Sequence, residues 1–357
     1  MRPFRSALAA FATVIVAAAP AGAQNFNGAL KKLVGDAGKE GKLILGWSNN
    51  SLAGIQGAQR AQAAMNKMFG TNIRIDFLPG PDMARVANQL TTEYSAGQKA
   101  HVDVMLGAAT QLAPMIRMDV LRAIDWRAFM PERIGADMVE MDGRMIRLVT
   151  GLSGATYNSA LAPMKPERLD DFLRPEWKGR IASTPYAAGF DVLVASDIWG
   201  EARTFDFVRK LSRQVSGLIR CGDAERVATG EYLAIVMDCT GQDALVWQEK
   251  GAPIDQMLPL DAAQKRYYYF AIPKHAQNPA AATLYALFMM TAEGQKLAFE
   301  TWKTDLHLFP ESKMAKITGD MEMRGVQFRE ITMKWWMDHP EIDQKRGELI
   351  KIITTKE

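Results

Sequence analysis

Residues 42–51 read KLILGWSNNS: a short, apolar, β-prone run over 42–47 gives way to Ser48, Asn49, Asn50 and Ser51, and a helical stretch follows over 56–69. Strand, polar loop and helix succeed one another. The pattern then repeats. Residues 72–78 place Ile73, Ile75 and Phe77 on one face of a strand, Pro79-Gly80-Pro81-Asp82 makes a turn, and a helix is expected over 83–96 with Asp82 as its N-cap. A third strand over 102–106 runs through Gly107, Ala108, Ala109 and Thr110 into another helix. Alternation of this kind predicts a parallel sheet covered by helices on both faces, an α/β fold.

A second cycle starts after Leu148. Residues 155–158 read as a strand end, 180–183 as a strand, 184–189 (TPYAAG) as its loop, and 192–199 as a helix. Strands over 215–220 and 232–237 follow, with a short helix between them that ends near Gly230, then a helix over 242–250. The chain therefore builds two similar lobes, without the fixed-period repeat of a solenoid. Residues 267–272 (YYYFAI) read as a strand returning to the first lobe, 280–290 as an apolar helix, and the tail from Glu311 as helical, with a stop at Pro340 and packing across the lobes.

The expected organisation is an export signal over 1–23, one lobe over 24–151, a second over 152–258, a return to the first over 259–330, and a helical tail over 331–357. Arg2 and Arg5 precede an apolar stretch, and Ala21-Gly22-Ala23 offers a small-x-small cleavage site. The apolar stretch is shorter than the roughly 20 residues of a membrane span. No cysteine follows the cleavage site to carry a lipid, so a free periplasmic protein is expected. The 43 basic and 40 acidic residues are interspersed, and the signal removes two arginines with it. No basic stripe marks a nucleic-acid partner, and a monomer is expected. Cys221 and Cys239, the only cysteines, are expected to form a disulfide in an oxidising compartment, between strands read as parallel neighbours joined by a helix over 223–229.

Several phrases together resemble the extracellular solute-binding proteins of ABC importers, in the branch of ferric-ion, thiamine, polyamine and phosphonate receptors. They are Tyr157-Asn158, Trp177-Lys178-Gly179-Arg180-Ile181, Gly230-Glu231, Lys250-Gly251-Ala252-Pro253-Ile254, Pro259, Asn278-Pro279-Ala280-Ala281-Ala282 and Glu293-Gly294-Gln295. The resemblance implies the two-lobe, type II periplasmic-binding-protein fold. It also implies a ligand cleft, a hinge of crossover strands, and an inner-membrane ABC permease as partner. In open α/β sheets ligands lie at the carboxyl ends of strands, beside helix N-termini. The polar loops are those ends.

The candidate ligand contacts follow from that placement. Ser48, Asn49 and Asn50 either meet a ligand or cap the next helix, and Thr110 opens another helix. Thr184, Tyr186 and Gly189 belong to a loop with accessible backbone; an ordinary proline turn is the alternative. Arg220 can fork a carboxylate or phosphonate, with Asp238 orienting it or accepting from an ammonium group and Thr240 beside them; an ion pair within one lobe is the alternative. Ferric-binding members carry adjacent tyrosines after the Gly-Glu phrase, whereas this chain has only Tyr232 between Glu231 and Gly251. Its first loop has asparagines in place of a histidine. A bare hard trivalent ion needs anionic oxygen ligands, so a small organic anion is expected, with ferric ion or a ferric chelate as the alternative. Tyr267, Tyr268 and Tyr269 read as strand tyrosines, and the Met-x-x-Met pairs 115/118 and 138/141 as core filling.

Ser153 lacks the full Gly-x-Ser-x-Gly elbow and reads as part of a hinge over 150–154 and 258–260. His101, His275, His307 and His339 are isolated in sequence. No cofactor, metal or catalytic residue is expected; a periplasmic enzyme using the same cleft, or a sensor that presents its ligand to a receptor, are the competing classes.

Overall fold

The computed structural model describes residues 26–356 apart from Pro81, Gly222 and Thr240. The expected export signal therefore lies outside the described residues. Among those residues no helix is long and apolar enough to cross a membrane.

The first lobe opens with α1 (Gly28–Glu40), β1 (Lys42–Trp47), α2 (Gly54–Phe69), β2 (Arg74–Pro79), α3 (Met83–Ser95), β3 (Met105–Gly107), α4 (Ala109–Arg117), α5 (Trp126–Phe129) and β4 (Val139–Glu140). A long strand, β5 (Met145–Asn158), leads out of it. The second lobe holds β6 (Ile181–Ser183), α6 (Phe190–Leu193), α7 (Glu201–Ser212), β7 (Val215–Leu218), α8 (Glu225–Ala228), β8 (Ala234–Asp238), α9 (Gln242–Glu249) and β9 (Ile254–Met257). The chain returns through β10 (Gln264–Ala271), α10 (Pro279–Met289), α11 (Ala292–Trp302), α12 (Lys313–Met323), β11 (Arg329–Ile331) and α13 (Met333–Met337), and ends in α14 (Glu341–Thr355).

β1 and β2 are parallel, from Lys42↔Arg74 to Trp47↔Pro79. β1 meets the chain entering β3 through Asp103, whose backbone N–H donates to the Ile44 carbonyl and whose carboxylate accepts from the Ile44 N–H, each at 2.8 Å. β3 is antiparallel to β10, and β10 lies between β11 and β5. In the second lobe the order is β7, β6, β8, β5, with β9 on the far side of β5.

All fourteen residues of β5 are buried. Up to Ser153 it pairs with β10; from Gly154 it pairs with β8 and β9 instead. The exchange needs a residue without a side chain. A Cβ on Gly154 would stand 2.1 Å from the Met257 carbonyl oxygen. Apolar positions such as Ile146, Leu148 and Val149 bury completely, each contributing about 1.5–3 kcal/mol.

Three expectations need correction. The helix over 192–199 is only the four-residue α6, followed by turns and then α7. Asp197 lies in the turns that follow, its carboxylate held by Trp335 Nε1 at 3.0 Å, Arg329 at 3.3 Å and His339 at 3.5 Å. The tail contains a strand, β11, which pairs with β10. Pro340 ends α13 but also opens α14. Finally, β7 and β8 are not neighbours, since β6 separates them.

The disulfide forms nonetheless. Ser183, the last residue of β6, stands opposite Leu218 and Val236, and each cysteine lies three residues beyond its partner. The two loops rise past the end of β6 and meet above it, with Cα atoms 5.8 Å apart. The bridge encloses a segment with a sequence separation of 18, for which loop-closure entropy gives about 3 kcal/mol. The Cys221→Ala/Cys239→Ala double variant is expected to lose that amount in urea denaturation, and mass spectrometry of the non-reduced protein should find no free thiol. Two free thiols in the native protein would contradict the pairing.

Candidate functional site

The loops after β1, β2 and β3 belong to one lobe and those after β6, β7 and β8 to the other, and β5 links the two sheets. On the first-lobe side, the Ser48 and Ser51 hydroxyls pair with each other at 3.2 Å, while Asn49 and Asn50 are exposed. Leu52, Ala53 and Gly54 all have positive φ, and α2 begins without a side-chain cap. The capping alternative for Ser48 and the asparagines is thus not realised. Thr110 is half-buried at the second position of α4, whose start also lacks a side-chain cap. Asp82 caps its own helix, accepting from the Arg85 N–H at 2.9 Å.

Across the cleft, Thr184 is completely buried and its hydroxyl has no hydrogen-bond partner among the described residues. The Tyr186 ring is 38% exposed. Ala187 and Gly189 are both left-handed, with φ of 52° and 76°, and the Asp191 N–H closes the turn on the Ala187 carbonyl at 3.0 Å. The Gly189 carbonyl accepts from Gln264 Nε2 of β10 at 3.3 Å, which ties the loop to the other lobe.

Beneath this loop lies a charge cluster that sequence reasoning missed. Asp191, fully buried, stands 3.4 Å from the Arg266 guanidinium of β10 and 3.3 Å from that of Arg346 on α14. The Arg346 contact with Asp191 Oδ2 is an ion pair lacking hydrogen-bond alignment, so that oxygen has charge compensation without a donor. The Gln264 side-chain oxygen Oε1 is likewise buried and unpartnered among the described residues. An arginine inside a tyrosine-rich strand was a usable signal for Arg266. Arg346 carried none, because it is one of several charges on an ordinary amphipathic helix.

The remaining candidates separate. Arg220 is exposed at the end of β7; its N–H donates to Asp223, and its guanidinium makes no ion pair among the described residues. Asp238 is buried, accepting from the Thr156 hydroxyl and from the Cys239 N–H, each at 2.7 Å. That carboxylate serves the β5–β8 junction. Thr240 lies outside the described residues. A groove of about 140 Å³ lies between α9 and α12, lined by Leu152, Gln242, Gln248 and Met321 among others.

The tyrosine run belongs to a separate buried network. Tyr267 donates to Glu330, and Tyr269 donates to Glu140 at 3.0 Å, while Glu140 pairs with Arg147 at 2.7 Å and accepts from the N–H of Met333. Burial, reinforced by the adjacent carboxylates, pushes both phenols well above the usual tyrosine range. They stay protonated and committed to those carboxylates, unlike the phenolates a ferric ion requires. Among the described residues no group of three His, Cys, Asp or Glu side chains could hold a metal ion. Of the methionine pairs, Met115 is buried while Met118 is 49% exposed, so that pair does not converge.

Comparison with known proteins gives consistent findings. A family model described as "Bacterial extracellular solute-binding protein" matches residues 60–315. Among solved structures, the fold is similar to ferric ion-binding protein A of Pasteurella haemolytica (TM-score 0.67, 14% identity, 88% of this chain and 98% of that one). It is also similar to the periplasmic binding protein AfuA of Actinobacillus pleuropneumoniae, solved with fructose-6-phosphate (TM-score 0.61, 18% identity, 74% and 84%). A third is AgtB of A. tumefaciens R10 in complex with agropinic acid (TM-score 0.61, 17% identity, 88% and 98%). A curated Haemophilus influenzae protein, described as uncharacterized, is 25% identical over 189 residues; the match spans 48% of this chain and about half, 54%, of that protein.

Two outcomes follow from the geometry. A Cβ on Gly189 would meet Met237 Cε at 2.3 Å in a left-handed backbone, so Gly189→Ala is expected to lower stability by about 1–2 kcal/mol. An unchanged urea midpoint would count against this. His307, whose Nδ1 lies 2.9 Å from the Thr150 hydroxyl on the hinge strand, has its pKa lowered from 6.5 to about 4, first by burial and then by the nearby Lys265 cation. A folded-state pKa below the unfolded one means that stability is complete above pH 6.5 and falls as pH drops towards 4, by about 3 kcal/mol in all. In His307→Asn that part of the pH slope should flatten; an identical slope would sink the assignment.

Proposed function

This chain belongs to the bacterial extracellular solute-binding protein family, and from that premise we propose that it captures a small organic ligand carrying an anionic group between its lobes and delivers it to the inner-membrane permease of an ABC importer. It is a periplasmic binding protein, with a transport rather than a catalytic role. Ser153, the one serine in a partial elbow, donates to the Cys239 carbonyl at 3.1 Å.

The observation that carries the ligand class is the Arg266–Asp191–Arg346 cluster. Two guanidinium groups share one carboxylate in a mostly desolvated place, which leaves an excess positive charge directly below the 184–189 wall. The Thr184 hydroxyl is a donor or acceptor still to be used, and Arg220 stands free at the rim. An anionic ligand supplies the missing partners, and charge-assisted hydrogen bonds are the strong ones. Ser48, Asn49, Asn50 and Thr110 are the proposed contacts from the first lobe; Thr184, Tyr186, Gly189 and Arg220 are those from the second. Fructose-6-phosphate and agropinic acid, bound by two proteins of similar fold, are anionic organic molecules of this kind. A ferric ion would reach this cleft as a chelate, because the proposed contacts include no carboxylate or imidazole, and Tyr267 and Tyr269 are committed elsewhere.

A thermal-shift screen over sugar phosphates, carboxylates, phosphonates, thiamine, polyamines and ferric salts tests the class, with calorimetry on each hit. At a concentration about a hundred times its Kd, the right ligand stabilises the protein by about 2.7 kcal/mol. An anionic organic hit should bind at least about tenfold more weakly to Arg220→Ala, which is about 1.4 kcal/mol. Tight binding of ferric ion without a co-anion, or of a polyamine, unaffected in that variant, would overturn the reading.

A further inference from the structure

The C-terminal helix α14 lies beyond residue 315, where the family match ends. It nevertheless touches both lobes. Asp343 pairs with Arg117 of α4 at 2.8 Å, on the first lobe. On the second, Leu349, Ile352 and Ile353 are buried in the shared core as α14 packs against α6 and α7, and Lys345 pairs with Glu201 at 2.7 Å. The helix is anchored by apolar burial at both ends, Ile342 in its first turn and Leu349, Ile352 and Ile353 further on, with ion pairs near its start.

From that fixed base Arg346 reaches into the cleft wall. Its Nη2 donates to the Tyr186 carbonyl at 3.0 Å, and its Nη1 lies 3.3 Å from Asp191. The two contacts bracket Ala187, which is buried and left-handed at φ 52°. A residue with a Cβ keeps that conformation only where its surroundings over-determine it. Among the described residues, Arg346 supplies the only side-chain donor to a carbonyl between 184 and 188. The other tethers, Asp191 N–H to Ala187 and Gln264 to Gly189, act on its second half.

We propose that Arg346 is a positioning residue of the ligand cleft: the C-terminal helix uses it to hold the 184–189 loop in its strained shape, so that the Thr184 hydroxyl and the Tyr186 ring are set before ligand arrives. The relevance to binding rests on the cleft reading above; the geometry of the loop does not. Preorganisation of this kind removes an ordering cost from each binding event. Arginine suits the task because its planar fork spans a carbonyl and a carboxylate together, whereas a lysine offers one point charge.

Hydrogen exchange measured by mass spectrometry on the full-length, ligand-free protein tests this without any ligand. In Arg346→Met, amides of residues 187–191 should exchange at least tenfold faster than in the wild type, while those of residues 349–353 and of α7 stay as protected as before. Arg346→Lys, which keeps the charge beside Asp191, should recover part of the difference. Unchanged exchange in Arg346→Met would overturn the proposal. So would an equal loss of protection throughout α14 and α7, since Arg346 would then merely anchor its helix. Failure of the ligand screen, by contrast, would leave this result intact and refute only the anionic class.

Discussion

β5 changes hydrogen-bond partners at Ser153 and Gly154, and the rest of the architecture depends on that exchange. One strand belongs to two sheets, so the lobes share a backbone element instead of only packing against each other. Complete burial explains why its sequence is apolar along nearly its whole length, and the close approach of the Met257 carbonyl explains why glycine stands at the exchange. The sheets of both lobes meet along this line.

The cleft wall of the second lobe is stabilised from three sides. The disulfide gathers the loops after β7 and β8 over the end of β6, Asp238 pins β8 to β5, and the pair Gln264 and Arg266 reaches across from the first lobe. Each device removes freedom from a segment that would otherwise carry left-handed residues and unpaired polar groups at a steep cost. Among the described residues, the atoms of this wall left unsatisfied include the Thr184 hydroxyl and the Gln264 side-chain oxygen Oε1. The same economy explains the tyrosines of β10. Tyr267 and Tyr269 are polar groups on a buried strand, and each is satisfied by a carboxylate, Glu330 and Glu140 respectively.

The legibility of the chain follows the range of the interactions involved. The strand over 42–47, the cap at Asp82, the helix over 242–249 and the strand changeover near 150–154 were readable because periodicity, capping chemistry and glycine placement are local. The resemblance carried by scattered phrases fixed the two-lobe fold and the periplasmic binding class. The segment over 192–199 is helical only to Leu193, and the turns beyond it are held by residues more than a hundred positions away, through Asp197. β11 was hidden because a three-residue strand has no periodicity of its own, and its identity comes from β10.

By itself, then, the sequence determined the α/β alternation and the two cysteines as a pair. It offered Arg220 and Asp238 as equals. Only the tertiary structure parted them, exposing the first and sealing the second beneath β5. Only the tertiary structure joined Asp191 to Arg266 and Arg346, which are 75 residues apart in one case and far more in the other. The physical reason is that charge compensation acts through space at 3–4 Å, whereas sequence patterns register only what neighbours along the chain must share.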